Sequence, residues 1–447
     1  MKEILFSAAS TAALLLSVGI QSAHSADAPK NVILFIGDGM GVSELTAARY
    51  YQGVRKKMNF DRLTYTGFQT TWSLKPGDGP NYLPDYAPDS AATGTMWATG
   101  KKTIDERISQ GPSTAENVLG KNYRTILEIF QSSGKRVGNV STAEITDATP
   151  AALASKMSLR GCQAPSNMST CPTETKAAGG LGSISEQMVD QKMDVMSGGG
   201  KNRFDSNGGR IAGGVDDGTT VEQSAYRQGI TIINTTRELK DLRASDMPVL
   251  GLFAAGNTTT EWTGPLAIPG EGVPAHECET GNRPNTQPKL ALMTEKAIEL
   301  LSGGNRGFFL QVEGASIDKQ DHAVNACAQI GETVALNKAI GVALEFQENN
   351  PDTLIVVTAD HSHTSMIVAE DTTGTGNPTG YSDNLITGDG QVMRVTYGTA
   401  GGPGPVGAPP SQQHTGGVVP IWAKGPGAEK ILGTTDHTDL FDILQGK

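Results

Sequence analysis

Short apolar runs rich in β-branched residues alternate along this chain with longer segments whose apolar positions recur every three or four residues. The runs at 32–36, 137–140, 230–233, 249–253, 308–312, 354–358 and 418–423 predict strands. Segments 123–133, 184–192, 290–301 and 332–346 predict helices, and in the last of these Leu336, Ile340, Ala343 and Leu344 line one face. Unbroken apolar strands are those buried on both sides. Their alternation with helices predicts an α/β fold, a mostly parallel central sheet with helices on both faces. Segments 75–88, 110–120, 161–182, 256–286 and 369–413 carry most of the Gly, Pro, Asn and Thr. They read as loop insertions on one domain.

The first 25 residues change the picture of where this domain works. Lys2, an apolar stretch to Ile20 and small residues at Ala23 and Ser25 predict a signal peptide cut after Ser25. The apolar stretch is shorter than the roughly 20 residues a spanning helix needs. Removing 25 of the 447 residues leaves 422, residues 26–447, ample for a large core in one elaborated domain or two. A net charge of −11, from 47 acidic against 36 basic residues, argues against nucleic acid or an anionic membrane as partner. Any anionic ligand must then be held by local positive charge. The four cysteines, Cys162, Cys171, Cys278 and Cys327, are an even number in an exported chain and read as two disulfides. Of three connectivities we take the sequence-local one, 162–171 with 278–327; no C-x-x-C spacing favours zinc.

Acids and imidazoles gather just beyond the strands, the edge where ligands bind in open α/β sheets. Asp38 follows the first strand, Asp147 and Thr149 follow the second, Glu313 ends the 308–312 run, and Asp360-His361-Ser362-His363 follow the 354–358 run. Asp318 and His322 stand at i and i+4, one helical turn apart, a spacing that suits two ligands of one metal and also occurs on plain helix surfaces. Of seven histidines, His24 falls in the signal peptide and four, His322, His361, His363 and His414, belong to this cluster. His276 and His437 sit in polar surroundings and default to the surface. Imidazole with carboxylate is zinc chemistry, whereas carboxylate with hydroxyl and water suits magnesium. In Y-A-P-D-S-A-A-T-G-T, Asp89 is a candidate helix N-cap. Ser90 would then open a helix, where an anion is favoured and a nucleophile could act.

The motifs D-G-M-G, P-D-S-A-A-T-G-T, S-T-A-E-I-T-D-A-T-P-A-A, V-E-G-A-S-I-D-K-Q-D-H-A, T-A-D-H-S-H and Q-H-T-G occur here in the order found in bacterial periplasmic alkaline phosphatases. The chain resembles that family over nearly all of residues 26–447, cysteine spacings included; segment 369–413 carries no matching motif. The resemblance implies a homodimeric, periplasmic or secreted hydrolase of phosphate monoesters that holds two Zn2+ and one Mg2+ per subunit. It implies that Ser90 becomes a phosphoserine and that Arg160 binds phosphate. One zinc site would take Asp318, His322 and His414, the second Asp38, Asp360 and His361. The magnesium site would take Asp38, Thr149 and Glu313. Asp147 and Lys319 would act through water on phosphate or magnesium, and His363 would hydrogen-bond a zinc-ligating carboxylate.

Two other readings remain at this stage. A hydrolase of phosphodiesters or sulfate esters could share the fold, although sulfatases need a modified Cys or Ser in a C/S-x-P-x-R context and Ser90 is followed by Ala-Ala-Thr. An exported phosphate- or metal-binding protein without turnover would share the acidity and the cluster, but has no need of an exposed serine beside it.

Overall fold

The computed structural model describes residues 28–211, 217–363, 365–369, 380–401 and 411–447. The segment expected to be a signal peptide, residues 1–25, lies outside them. Each predicted strand is present, and the strand Asn31–Gly37 shows why. All seven of its residues are buried, with Val32, Leu34 and Ile36 packing into one apolar cluster and Ile33 and Phe35 into another on the opposite side. A period-2 chain with both faces apolar demands cover on both. The helices Ser90–Thr99, Ile126–Ser132 and Ala148–Ala154 supply one cover. Leu290–Ser302 and Ala326–Asn349 supply the other.

The main sheet has ten strands among the described residues, in the order Gly433–Asp436, Tyr65–Thr70, Val419–Lys424, Thr353–Ala359, Asn31–Gly37, Phe308–Gly314, Arg136–Glu144, Val195–Gly199, Val249–Leu252 and Thr231–Ile233. Only Val419–Lys424 runs against the rest. The pairing Ile36↔Glu313, with Gly37↔Gly314 and Gly37↔Ala359, levels the central strands so that they end together. Asp38, Glu313 and Asp360 therefore reach one edge. The opposed strand begins where the others end, which brings His414 to the same edge.

Three strands of this sheet carry no sequence signal. Val195–Gly199 is buried but ends in two glycines; a Cβ on Gly199 would stand 2.0 Å from the carbonyl oxygen of Gly256. Tyr65–Thr70 and Gly433–Asp436 lie at the margin, with Thr and Gly in place of an apolar run. Segment 369–413 is not loop alone. Its described parts contain the strands Tyr381–Ile386 and Val392–Tyr397, which pair with each other and with Ser365–Val368 in a second, smaller sheet. That sheet buries Leu385, Val395 and Tyr397 against Ala326, Cys327 and Ile330 of the long helix.

The long helix begins at Ala326, six residues before the predicted stripe. Asn325 caps it by accepting from the N–H of Ala328 at 3.0 Å. Its first eleven residues are all buried, so no amphipathic pattern marks them. Both disulfides form as read, Cys162–Cys171 and Cys278–Cys327. Leu336 is fully buried beneath Gly314. Leu336→Ala is expected to cost about 2–5 kcal/mol in denaturant unfolding, a cavity that a packed layer cannot close.

Candidate active site

Ser90 is the first residue of its helix. Asp89 accepts from the N–H of Ala92 at 2.9 Å, so the two expectations for this stretch hold together: a capped helix that presents a serine at its N-terminus. The Oγ of Ser90 lies 3.1 Å from Nε2 of His361. Around that nitrogen stand Asp360 Oδ2 at 3.3 Å, Asp38 Oδ1 at 3.5 Å and Asp318 Oδ1 at 4.0 Å. Asp360 is held by its other oxygen, which accepts from the N–H groups of Gly39 and His361, both at 2.9 Å.

A second group adjoins the first. Asp318 and His322 share a turn of the helix Ser316–His322, as their spacing predicts, with Oδ1 and Nε2 3.3 Å apart. His414 Nε2 is 3.2 Å from the same oxygen and 3.1 Å from His322 Nε2. The Nδ1 atoms of His322 and His414 face the carbonyl oxygens of Gln412 and Pro88. A carbonyl only accepts, so each Nδ1 carries the hydrogen and each Nε2 presents a lone pair. Two lone pairs and a carboxylate oxygen meet at 3.1–3.3 Å with nothing between them to attract. Ligand atoms of a tetrahedral zinc, 2.0–2.1 Å from the metal, would stand roughly 3.3 Å apart.

His363 joins this group in another way. Its Nε2 donates to Asp318 Oδ1 at 2.6 Å, and its Nδ1 accepts from the side-chain amide of Gln412 at 3.0 Å. Both ring nitrogens are thus used, which makes it an orienting partner of the carboxylate.

Glu313, whose Oε2 accepts from Ser141, and Asp38 stand at the ends of adjacent paired strands, and Thr149 lies in the first turn of the helix capped by Asp147. The Thr149 hydroxyl, Asp38 Oδ1 and Asp360 Oδ2 are buried oxygens without a hydrogen-bond partner. Burial, then Asp318 and Asp360, raises the Asp38 carboxyl well above its usual range; burial lifts Glu313 to about 8 and keeps the His361 imidazole neutral. Such a set of orphaned oxygens and stacked acids is costly alone and fits divalent cations.

Arg160 reaches the neighbourhood of Ser90 through Asp89, at 3.2 Å, and Asp147, at 3.0 Å; Lys319 bonds the other oxygen of Asp147 at 2.8 Å. Burial opposes charge on Asp147, but Lys319 and Arg160 outweigh it and hold the carboxyl below its usual range. The Cys162–Cys171 bridge begins two residues after Arg160, whose N–H is fixed by the carbonyl of Glu106 at 2.7 Å.

The residues expected from the sequence around Ser90 thus come together at this edge, the Cys278–Cys327 bridge lies apart under the smaller sheet, and the structure adds two residues to the group. Gln412 sets the tautomer of His363; its only signal is adjacency to Q-H-T-G. Ser141 holds Glu313 from inside a buried strand, where it reads as a core position. Two expectations fail. His437 is fully buried, its ring edge-on to Trp97 at 5.7 Å, and burial lowers its pKa to about 3. His276 is half-buried, with Nε2 2.7 Å from buried Asp383. Polar sequence neighbours do not report what the fold lays across them.

Residues 29–403 match the model of the alkaline phosphatase family. The chain is 45% identical to the alkaline phosphatase of Escherichia fergusonii over 430 residues, 93% of this chain and 85% of the relative. It is 41% identical to the streptomycin-6-phosphate phosphatase of Streptomyces griseus, over 94% and 91% of the two chains. The solved alkaline phosphatase of the Antarctic bacterium TAB5 shares the fold with a TM-score of 0.66 at 23% identity, covering 93% of this chain and 97% of that one. No helix among the described residues is long and apolar enough to cross a membrane. The family match, the two high-identity relatives and the shared sheet edge lead to one conclusion: the chain belongs to the alkaline phosphatase family, enzymes that hydrolyse phosphate monoesters.

Proposed function

We propose that this enzyme hydrolyses phosphate monoesters through a phosphoserine on Ser90. The observation that carries this reading is Ser90 Oγ at a helix N-terminus, 3.1 Å from His361 Nε2 and beside the orphaned oxygens of Asp38 and Asp360. Asp318, His322 and His414 would hold one zinc ion, Asp38, Asp360 and His361 a second, and Asp38, Thr149 and Glu313 a magnesium ion. When bound, these ions supply positive charge that makes a serine hydroxyl or a water nucleophilic at working pH. Ser90 Oγ attacks phosphorus, its proton leaves to solvent, and the alcohol departs with a proton from water. Water then attacks the phosphoserine, releasing inorganic phosphate and restoring Ser90. Arg160, freed from Asp89 and Asp147, can grip two phosphate oxygens, which a lysine could not. Asp147 positions Arg160 and Lys319, and His363 orients Asp318.

The catalytic domain is proposed to span residues 26–447 behind an export signal at 1–25, to work in the periplasm and to act as a homodimer. Exposed Val42 and Tyr50 on the helix Val42–Gln52, with Val54 just beyond its end, offer an apolar surface for the second copy.

The Ser90–Arg160 pairing favours a monoester over a diester, because Arg160 and the cation sites together match a dianion. Turnover of nitrophenyl phosphate is expected to exceed that of bis(nitrophenyl) phosphate by about a hundredfold or more in kcat/KM. A ratio near one would move the enzyme to the diesterases.

A further inference from the structure

Beside the nucleophile lies a residue to which the reaction above gives no role. Glu106 adopts φ 67°, a left-handed conformation unusual for a side-chain-bearing residue. Two backbone bonds hold it there: its N–H donates to Asp89 Oδ2 at 3.1 Å, and its carbonyl accepts from Arg160 N at 2.7 Å. It therefore stands between the neighbour of the nucleophile and the phosphate-binding arginine. The next residue makes this platform rigid. Arg107 is fully buried and donates to the carbonyls of Gly111 at 2.8 Å and Glu116 at 2.7 Å, pinning the loop that follows.

The Glu106 carboxylate is half-buried, and among the described residues no hydrogen bond or ion pair holds it. The nearby cations are already matched. Arg160 pairs with Asp89 and Asp147, and Lys319 pairs with Asp147. Asp105 adds a further acid, its Oδ1 accepting from Ser73 Oγ at 2.7 Å. The rim around Arg160 is therefore negative, in contrast to the phosphate subsite beneath it.

Resting on the reading of Ser90 and Arg160 given above, we propose that Glu106 is a specificity-determining residue. Its carboxylate favours phosphate monoesters whose alcohol carries a positive charge, amino or ammonium alcohols, over those whose alcohol is anionic. A phosphoryl group at Ser90 against Arg160 would lie beside the Glu106 loop, whose backbone touches both Asp89 and Arg160, so the alcohol it carries comes within the field of this carboxylate. A cation on that alcohol would interact with a half-buried carboxylate, and an interaction between unit charges in such partial shelter is worth about a three- to tenfold change in rate.

The test compares kcat/KM for phosphocholine, glycerol phosphate and phosphoglycerate in wild-type enzyme and in Glu106→Gln, at low and high ionic strength. Gln keeps the size of the side chain and both backbone bonds. In the variant, phosphocholine is expected to fall and phosphoglycerate to rise, narrowing their ratio about three- to tenfold, with glycerol phosphate moving least. High salt should narrow the wild-type ratio in the same direction. Movement in opposite directions is a signature that structural damage cannot give. An unchanged ratio would overturn the proposal, and so would an equal slowing of all three substrates, which would make Glu106 a mere support for Arg160. The phosphoserine reading fails separately, if Ser90→Ala still turns over phosphocholine.

Discussion

Ser90→Ala is expected to lower kcat for aryl phosphates by about a thousandfold or more, at least roughly 4 kcal/mol of barrier, while KM changes little. The asymmetry follows from the site. In the proposed mechanism, binding of the phosphoryl group would fall to Arg160 and the cation sites, whose side chains the substitution leaves in place. Bond formation would fall to Ser90 Oγ, the proposed nucleophile, which Ala removes. The helix itself should be indifferent, since its cap is the Asp89 side chain bonded to Ala92. Wild-type enzyme quenched in acid during turnover should carry labelled phosphate on Ser90, and the variant should carry none. Unchanged turnover in the variant would mean that water attacks phosphorus directly and that Ser90 is only a helix start.

The sequence displays this site more fully than it displays the fold around it. Asp38, Glu313, Asp360 and His361 are visible because each interrupts or ends an apolar run, and a parallel sheet aligns such ends whatever the lengths of the connections. The Asp318–His322 spacing needs only a helical turn. What stays hidden is hidden for packing reasons. Val195–Gly199 trades side chains for close backbone approach at Gly199, and the first turns of Ala326–Asn349 are buried all round and so lack periodicity. His437 defaults to the surface because Asp436, Thr438 and Asp439 flank it, yet a ring lying against Trp97 is core. Gln412 and Ser141 act through the orientation of another residue, which composition and spacing do not record.

Complete chelation is expected to abolish turnover, and the stripped protein should reveal its charge imbalance as a pH-dependent loss of stability. A Ser90–His361 dyad working without metal would survive chelation, so activity alone separates the two mechanisms; restoring zinc and magnesium together should recover it. The stability argument rests on carboxyls with raised pKa. In the stripped fold, burial keeps Glu313 protonated up to about 8, and Asp38 and Asp360 are raised as well, whereas the unfolded chain releases these protons at its ordinary carboxyl values near 4. The fold then binds more protons than the unfolded chain, so stability falls as pH rises through that interval. His361 and His363, held neutral by burial, oppose this trend, but only below about 6.5, where the unfolded imidazole would protonate. Asp318 enters neither window: burial opposes its charge, yet the hydrogen bond from His363 leads the influences that keep it ionised throughout. The net loss should therefore fall between about pH 6.5 and 8, at up to about 1.4 kcal/mol per pH unit for each carboxyl that titrates there. Cations would hold the same carboxyls ionised, so the loaded enzyme should show a smaller slope, the part left by Glu44 and Asp105, which burial lifts to about 7 away from the cation sites. The gap in Tm between loaded and stripped protein is expected to widen from pH 6 to pH 9. A stripped protein as stable at pH 9 as at pH 6 would mean that Asp38, Glu313 and Asp360 are not the charge trap their burial implies, and the cation assignment would lose its physical basis.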